Sequence, residues 1–244
     1  MHLNIRCLPA KFENLITLLS VYSSKKFQNL PSVVALTETW LNAFNQNSYQ
    51  INGYHPIVSR VRSDNSSRGG VALFIREDVE FTDRPDLDKF IPHTFESVFI
   101  TLKQLQITIG VIYRTPDSDS ASFLTEYQHT LPTTQLTQLK ENFMLLGDFN
   151  LDLLKYSHDS NVTEFADMNF EQGCIPLITK PTRIDANSAS CIDNIILNKI
   201  FQNSEAGILL DDTSDHFPVF YSLKHSSPQR KQRHLAPLLV EIFG

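Results

Sequence analysis

Six short stretches of this sequence each put polar groups with known chemical uses at the end of an apolar run. Asn4 lies in HLNIR, Glu38 in LTETWL, and Tyr113 and Arg114 in IYRTP. Asp148 and Asn150 close LLGDFN, Asp193 interrupts SCIDNIIL, and Ser214, Asp215 and His216 stand in TSDHFPV. The carboxylates and amides are hard oxygen donors, suited to Mg²⁺ or Mn²⁺ rather than to a soft metal. His216 adds a ring that titrates near neutrality. Arg114 carries a planar fork that can grip a phosphate or a carboxylate in two places. A divalent cation, a water-activating carboxylate and a charge-stabilising imidazole are together what hydrolysis of a phosphodiester requires.

Each group also has a bland reading. Glu38 can be a surface or capping residue. Asp148 and Asn150 can close their strand with an Asx-turn. Asp193 can sit at a strand edge, since a carboxylate among Ile and Leu is costly unless paired or metal-bound. Ser214 and Asp215 can cap a turn, and Tyr113 and Arg114 can be rim packing. Asn4, in a strand that ought to be core, needs partners. The spacing of two between Asp148 and Asn150 puts both on one face of an extended chain. Phe149 then points the other way, into the core, and Gly147 permits a close backbone approach.

The elements that must hold these groups are legible from periodicity. Residues 33–40, 69–75, 97–102, 107–113, 142–149, 190–197 and 216–223 read as strands, and HLNIR as a further one from residue 2. Most are dense in Val, Ile, Leu and Phe, which predicts strands covered on both faces or packed sheet to sheet. Helices are expected over 11–24, 122–131 and 161–173. Pro132 stops the second, with a continuation through TTQLTQLKEN, and Gly173 caps the third. The prediction is one α/β domain over residues 1–223, then a tail (224–244) that is basic at first and apolar at its end.

Composition narrows the classes. The 244 residues carry a net charge of −6, which disfavours nucleic-acid binding by bulk charge but not a local basic rim around an acidic centre. Three scattered cysteines make neither a disulfide framework nor a zinc site and read as a reducing compartment. There is no CxxC, HExxH, Walker loop or GxSxG, and no apolar run long enough to span a membrane. A strand that starts this close to the first residue suggests a chain cut from something longer.

In order and wording, these motifs resemble the endonuclease/exonuclease/phosphatase superfamily. They are most similar to the apurinic-type endonuclease domain of non-LTR retrotransposons of the jockey and CR1 kind. The resemblance covers about residues 1–223. It implies a four-layer sandwich of two face-to-face mixed β-sheets flanked by helices, and metal-assisted cleavage of DNA that leaves a 3′-hydroxyl and a 5′-phosphate. By position it implies Glu38, Asn4 and Asp215 around a Mg²⁺ or Mn²⁺ ion. It implies Asp148 and Asn150 on the attacking water, and His216, held by Asp193, on the scissile phosphate. Tyr113 would pack against the site, and Arg114, Thr182, Arg183 and Ser214 would face the substrate. Arg60, Arg62, Arg68 and Arg76 are further candidates for phosphate contacts. Repair enzymes of the superfamily carry an acidic residue where this chain has Arg6. The implied setting is a monomer, intracellular and nuclear when functional, in a parent element that also encodes a reverse transcriptase. Two other readings stay open: a phosphoesterase of the same fold on another substrate, and a non-catalytic remnant.

Overall fold

The computed structural model describes residues 1–22, 30–62, 68–130 and 142–223. The tail from residue 224, and all but the last residue of the expected continuation after Pro132, lie outside them. Asn142, that last residue, opens a strand. In chain order the elements are β1 (His2–Asn4), α1 (Leu8–Tyr22), β2 (Val33–Thr37), β3 (Val58–Arg60), β4 (Val71–Ile75), β5 (Phe81–Asp83), β6 (Phe90–Ile91), β7 (Phe95–Leu102) and β8 (Ile107–Arg114). There follow α2 (Ser120–Thr130), β9 (Asn142–Asp148), α3 (Ser160–Glu171), β10 (Ile175–Pro176), β11 (Arg183–Ile184), β12 (Ala189–Ser190), β13 (Asp193–Leu197), β14 (Ser204–Ile208) and β15 (Val219–Leu223).

The strands form two mixed sheets. One has six strands in the order β14-β15-β1-β2-β4-β3, with β1 and β2 parallel. The other has seven, β10-β13-β9-β8-β7-β5 with β6 on β7, and β8 and β9 parallel. Strand period sorts the side chains into three cores. Ala35, Leu73, Val98, Ile109, Leu146, Ile195 and Val219 come from both sheets and fill the space between them. Phe99, Ile112, Leu145 and Ile196 point outward from the seven-stranded sheet onto Phe123 and Tyr127 of α2 and Phe165 of α3. Leu3, Val34, Leu36 and Phe74 point outward from the other sheet onto Leu15, Leu18 and Leu19 of α1. Helix, sheet, sheet, helices is the expected four-layer sandwich.

Local chemistry sets the helix ends. Helix α1 begins three residues before the expected start, with Pro9 in its first turn, where a missing N–H costs nothing. The Asp159 side chain accepts from the N–H groups of Asn161 and Val162 and caps α3. Gly173, at φ 69°, ends α3 as expected, while the Cys174 N–H bonds back to Asn169.

Strand ends differ more from expectation. β2 stops at Thr37 rather than Trp40 because Glu38 and Trp40 both adopt positive φ, 50° and 54°. β13 begins at Asp193 and β15 only at Val219. The short or polar β3, β5, β6, β10, β11, β12 and β14 carry too little apolar pattern to be read beforehand.

Gly147 is required where β8 and β9 run side by side. A Cβ there would stand 1.9 Å from the Ile112 carbonyl oxygen. Gly147→Ala is therefore expected to lower stability by about 3 kcal/mol, the upper range for overpacking. The midpoint of urea denaturation measures it.

Candidate active site

The period that builds the inter-sheet core also builds the site. On the seven-stranded sheet Asp193 pairs with Asp148, Asp148 with Tyr113, and Tyr113 with Glu96 in register. Each shares its strand's parity with the residues of the central core, so all four form one polar row facing the other sheet. On that other sheet His2, Asn4 and Thr37 occupy the matching inward positions. The row closes the apolar core at one end of the sandwich.

Contacts between the two sheets complete it. The Asn4 Nδ2 donates to Asp148 Oδ2 at 2.7 Å and to Glu38 Oε1 at 2.9 Å, so one amide ties both carboxylates together. Glu38 also accepts from the Trp40 indole at 3.3 Å. His216 Nδ1 lies 2.8 Å from Asp193 Oδ2 and 4.0 Å from Asp148 Oδ2. Asp148, Asp193 and His216 are 1%, 0% and 2% exposed. Their ligand atoms all lie within 4.8 Å of one another.

Burial decides the protonation states. Desolvation, then the Asp193 charge, pushes the Asp148 carboxyl well above the usual carboxylate range. Burial also acts to raise Asp193, but the charge of His216 and its hydrogen bond outweigh it, so Asp193 stays below that range. For His216 burial lowers the pKa, yet Asp193 next to it raises it to about 9. The site thus holds an imidazolium–carboxylate pair beside a carboxyl poised to take a proton. Burial and the charges of Glu38 and Asp148 hold the Tyr113 hydroxyl protonated. His2 is driven the other way, to about 4 by burial, and is neutral.

A divalent cation fits this donor set. Asp148, Asp193 and His216 form a cluster compatible with one, and Glu38 adds a half-buried carboxylate on the far side of Asn4.

Several expected substrate contacts have other places. Thr182 is fully buried: its hydroxyl donates to Asp193 Oδ2 at 2.8 Å and accepts from the N–H groups of Ile192 and Asp193. It braces Asp193 and has no surface to offer. Arg114 is 4% exposed and donates to the carbonyls of Asn150 and Ser118 and to the Ser120 hydroxyl. It fastens the Asp148 loop to the start of α2. Asn150, at φ 47°, leaves the strand face, and its amide donates to the Arg114 carbonyl at 2.6 Å. Its N–H bonds Asp148 Oδ1 at 3.0 Å, so the Asx-turn and the site carboxylate are the same residue.

Asp215, expected as a ligand, pairs with Arg6 and Arg183 on the exposed rim, and Ser214 donates to it at 3.3 Å. Arg60, Arg62 and Arg76 pair with Asp88, Glu96 and Asp78. The Arg62–Glu96 pair is buried, and Glu96 also accepts from the Gly70 N–H. Gly69 and Gly70 in turn receive the Trp40 and Thr39 N–H groups, so this pair steadies the Glu38 turn.

Sequence reasoning missed His2 and Glu96. His2 was detectable by the argument that singled out Asn4: it is the other inward polar residue of β1. Glu96 gave no signal, since its row forms only across four strands.

Buried carboxylates thus face a charged imidazole where two stacked sheets end together, an arrangement compatible with a divalent cation. The chain belongs to the Endonuclease/Exonuclease/phosphatase family, whose model matches residues 1–216. No curated protein gives a significant sequence match. Among solved structures it resembles the endonuclease domain of TRAS1, a telomere-specific non-LTR retrotransposon (15% identity, 90% of this chain, 94% of that one, TM-score 0.65). It equally resembles the 3′ phosphatase NExo from Neisseria bound to a product DNA hairpin (16%, 92% and 98%, TM-score 0.65). The Haemophilus ducreyi cytolethal distending toxin is a third (16%, 92% and 97%, TM-score 0.59). At such identities the likeness is one of fold. Among the described residues no helix is long and apolar enough to cross a membrane.

The raised His216 pKa fixes a sign. Its bond to Asp193 stabilises the fold fully below the unfolded value of 6.5, and the contribution is lost as pH rises through about 9. Wild type should therefore exceed His216→Ala in stability by on the order of 2 kcal/mol at the low end of that window. The margin should shrink towards the high end. Thermal melts across the pH series test this.

Proposed function

We propose that this chain is a divalent-metal-dependent DNA endonuclease that hydrolyses one phosphodiester to leave a 3′-hydroxyl and a 5′-phosphate. The observation that carries the reading is convergence. Asn4, Glu38, Asp148, Asp193 and His216 come from the ends of both sheets and meet at one locus.

In this reading Glu38, with Asn4 beside it, would hold Mg²⁺ or Mn²⁺. When bound there, such a cation would supply polarisation of the phosphate and stabilisation of the departing alkoxide. Asp148 orients the attacking water and takes its proton, helped by a carboxyl already pushed towards neutrality by burial. Asn150 and Arg114 keep the Asp148 loop in place. His216 enters charged. With Nδ1 committed to Asp193, Nε2 remains to donate to a phosphate oxygen as negative charge builds. Tyr113 stays protonated and can donate beside them. Arg6, Arg183, Ser214 and Asp215 form the rim over which DNA would run, with Arg183 beginning the β11–β12 hairpin. A retroelement origin, with a reverse transcriptase in the parent element, nuclear access and action as a monomer, belongs to this same proposal.

Purified protein should nick supercoiled plasmid with Mg²⁺ and not with EDTA. Glu38→Ala and Asp148→Ala should each lower the rate by about 10²-fold or more while remaining folded, a loss typical of removing one charge-stabilising group. Release of phosphate from a 3′-phosphorylated oligonucleotide, with plasmid left intact, would assign the site to a phosphatase instead. A chain that is folded but inert on both would be a remnant.

The rim yields a separate expectation. Arg183→Ala should raise KM several-fold with kcat little changed, because a phosphate contact outside the reacting centre contributes uniform binding. Titration of nicking against DNA concentration separates the two constants. A fall in kcat alone would place Arg183 in the chemistry.

A further inference from the structure

Asp193 orients His216, so whatever fixes Asp193 fixes the charged end of the site. Its Oδ2 is fully used, accepting from His216 Nδ1 and from the Thr182 hydroxyl, both at 2.8 Å. Its Oδ1 is buried and meets no hydrogen-bond partner among protein groups. The group it faces is His2 Nδ1, 3.8 Å away, which is likewise buried and without a partner. Two complementary orphan atoms facing each other, both fully desolvated, are rare in a folded protein. An approach of under ~1 Å would satisfy both.

The rest of the His2 ring supports the pairing. Nε2 lies 3.2 Å from the buried Thr37 hydroxyl on the neighbouring strand. If that hydroxyl donates to Nε2, the ring proton resides on Nδ1 and points at Asp193. The opposite tautomer would set a bare lone pair against a carboxylate. β1 therefore spans the gap between the sheets twice, with a period of two. Asn4 reaches Asp148, and His2 faces Asp193.

We infer that His2 is a positioning residue for phosphodiester hydrolysis: held by Thr37, its Nδ1–H fixes Oδ1 of Asp193 from the opposite sheet, so that Oδ2 keeps the His216 ring aimed at the substrate. This rests on the endonuclease reading above, and the test separates the two.

Three variants discriminate. His2→Leu removes both polar atoms at similar volume. His2→Asn keeps a donor near the place of Nδ1, and His2→Gln keeps one near the place of Nε2. Each is assayed by plasmid nicking with Mg²⁺, and by the proton NMR signal of the His216 Nδ1–H, which hydrogen bonding to a buried carboxylate shifts far downfield. The expected result is a kcat about tenfold lower in His2→Leu at unchanged KM, the lower range for loss of a group behind a catalytic ligand. The downfield signal should broaden or vanish with it, and His2→Asn should restore both where His2→Gln does not. A His2→Leu protein with wild-type kcat and an intact signal would overturn the inference. So would equal rescue by the two amides, or by neither. If His2→Leu fails to fold, the contrast between the amides decides. If wild type nicks nothing, the endonuclease reading falls, while the proton signal still reports whether His2 fixes the Asp193–His216 pair.

Discussion

Two carboxylates standing directly opposite one another on adjacent strands are the constraint around which this molecule is organised. Asp148 and Asp193 are register partners on β9 and β13, and both are buried. Like charges so placed repel, and burial multiplies the repulsion. The fold answers by giving each a different partner. Asp193 receives the imidazolium and a threonine hydroxyl and stays ionised. Asp148 receives only neutral N–H donors, from Asn4 and Asn150, and its carboxyl is raised. Equally buried, the two groups are set apart by their partners, one held ionised by the imidazolium and the other raised.

Holding these groups still falls to backbone that departs from the strands. Arg6, Cys7, Glu38, Trp40 and Asn150 all have positive φ, at the ends of β1, β2 and β9. None is glycine, so each conformation costs of order 1 kcal/mol and persists only where its surroundings enforce it. The enforcement is visible. Cys7 and Leu8 donate to the carbonyls of Glu38 and Thr39, locking two of the turns together. The Gly69–Gly70 carbonyls, held by the buried Glu96–Arg62 pair, receive the far side of the Glu38 turn. Arg114 clamps the third turn through the Asn150 carbonyl. Turns that rest on one another move as a unit, which suits a site that needs carboxylate positions kept to a fraction of an ångström.

The architecture was legible because its strands are apolar on both faces. A run such as VVALT or ITIGVIY has no exposed side to disguise it, so its existence followed from composition, while packing of sheet on sheet was one of two readings until the family resemblance implied it. The groups that converge were legible because a polar residue at the end of such a run has few reasons to be there. What could not be read was partnership. Thr182 and Arg114 look like substrate contacts in one dimension. Their burial, and the carbonyls and carboxylate that take up their donors, exist only after distant segments meet. Asn150 shares a face with Asp148 only if the chain stays extended, and an Asx-turn bends it away. His2 was open to the argument that singled out Asn4, as the other polar residue on that face of β1, but its counterpart Asp193 appears only across the gap.

The charge balance follows from the same partnerships. A chain of net −6 that is to hold DNA needs positive potential where the strand of phosphates passes, and its arginines near the site are mostly neutralised by carboxylates of their own. Two of these pairings differ in kind. Arg62–Glu96 is buried and structural, so breaking it would strand a charge in the core. Arg6 and Arg183 instead share one exposed carboxylate, Asp215, two cations against a single anion in a high-dielectric setting where such pairs contribute little. The surplus cation sits beside the His216 imidazolium, itself matched by the buried Asp193. In the proposed function that surplus cation is where a phosphate would be held. Under the proposed function the acidic whole would oppose DNA by bulk charge, and contact would be local, through Arg6 and Arg183 at the end of the sandwich where the carboxylates meet.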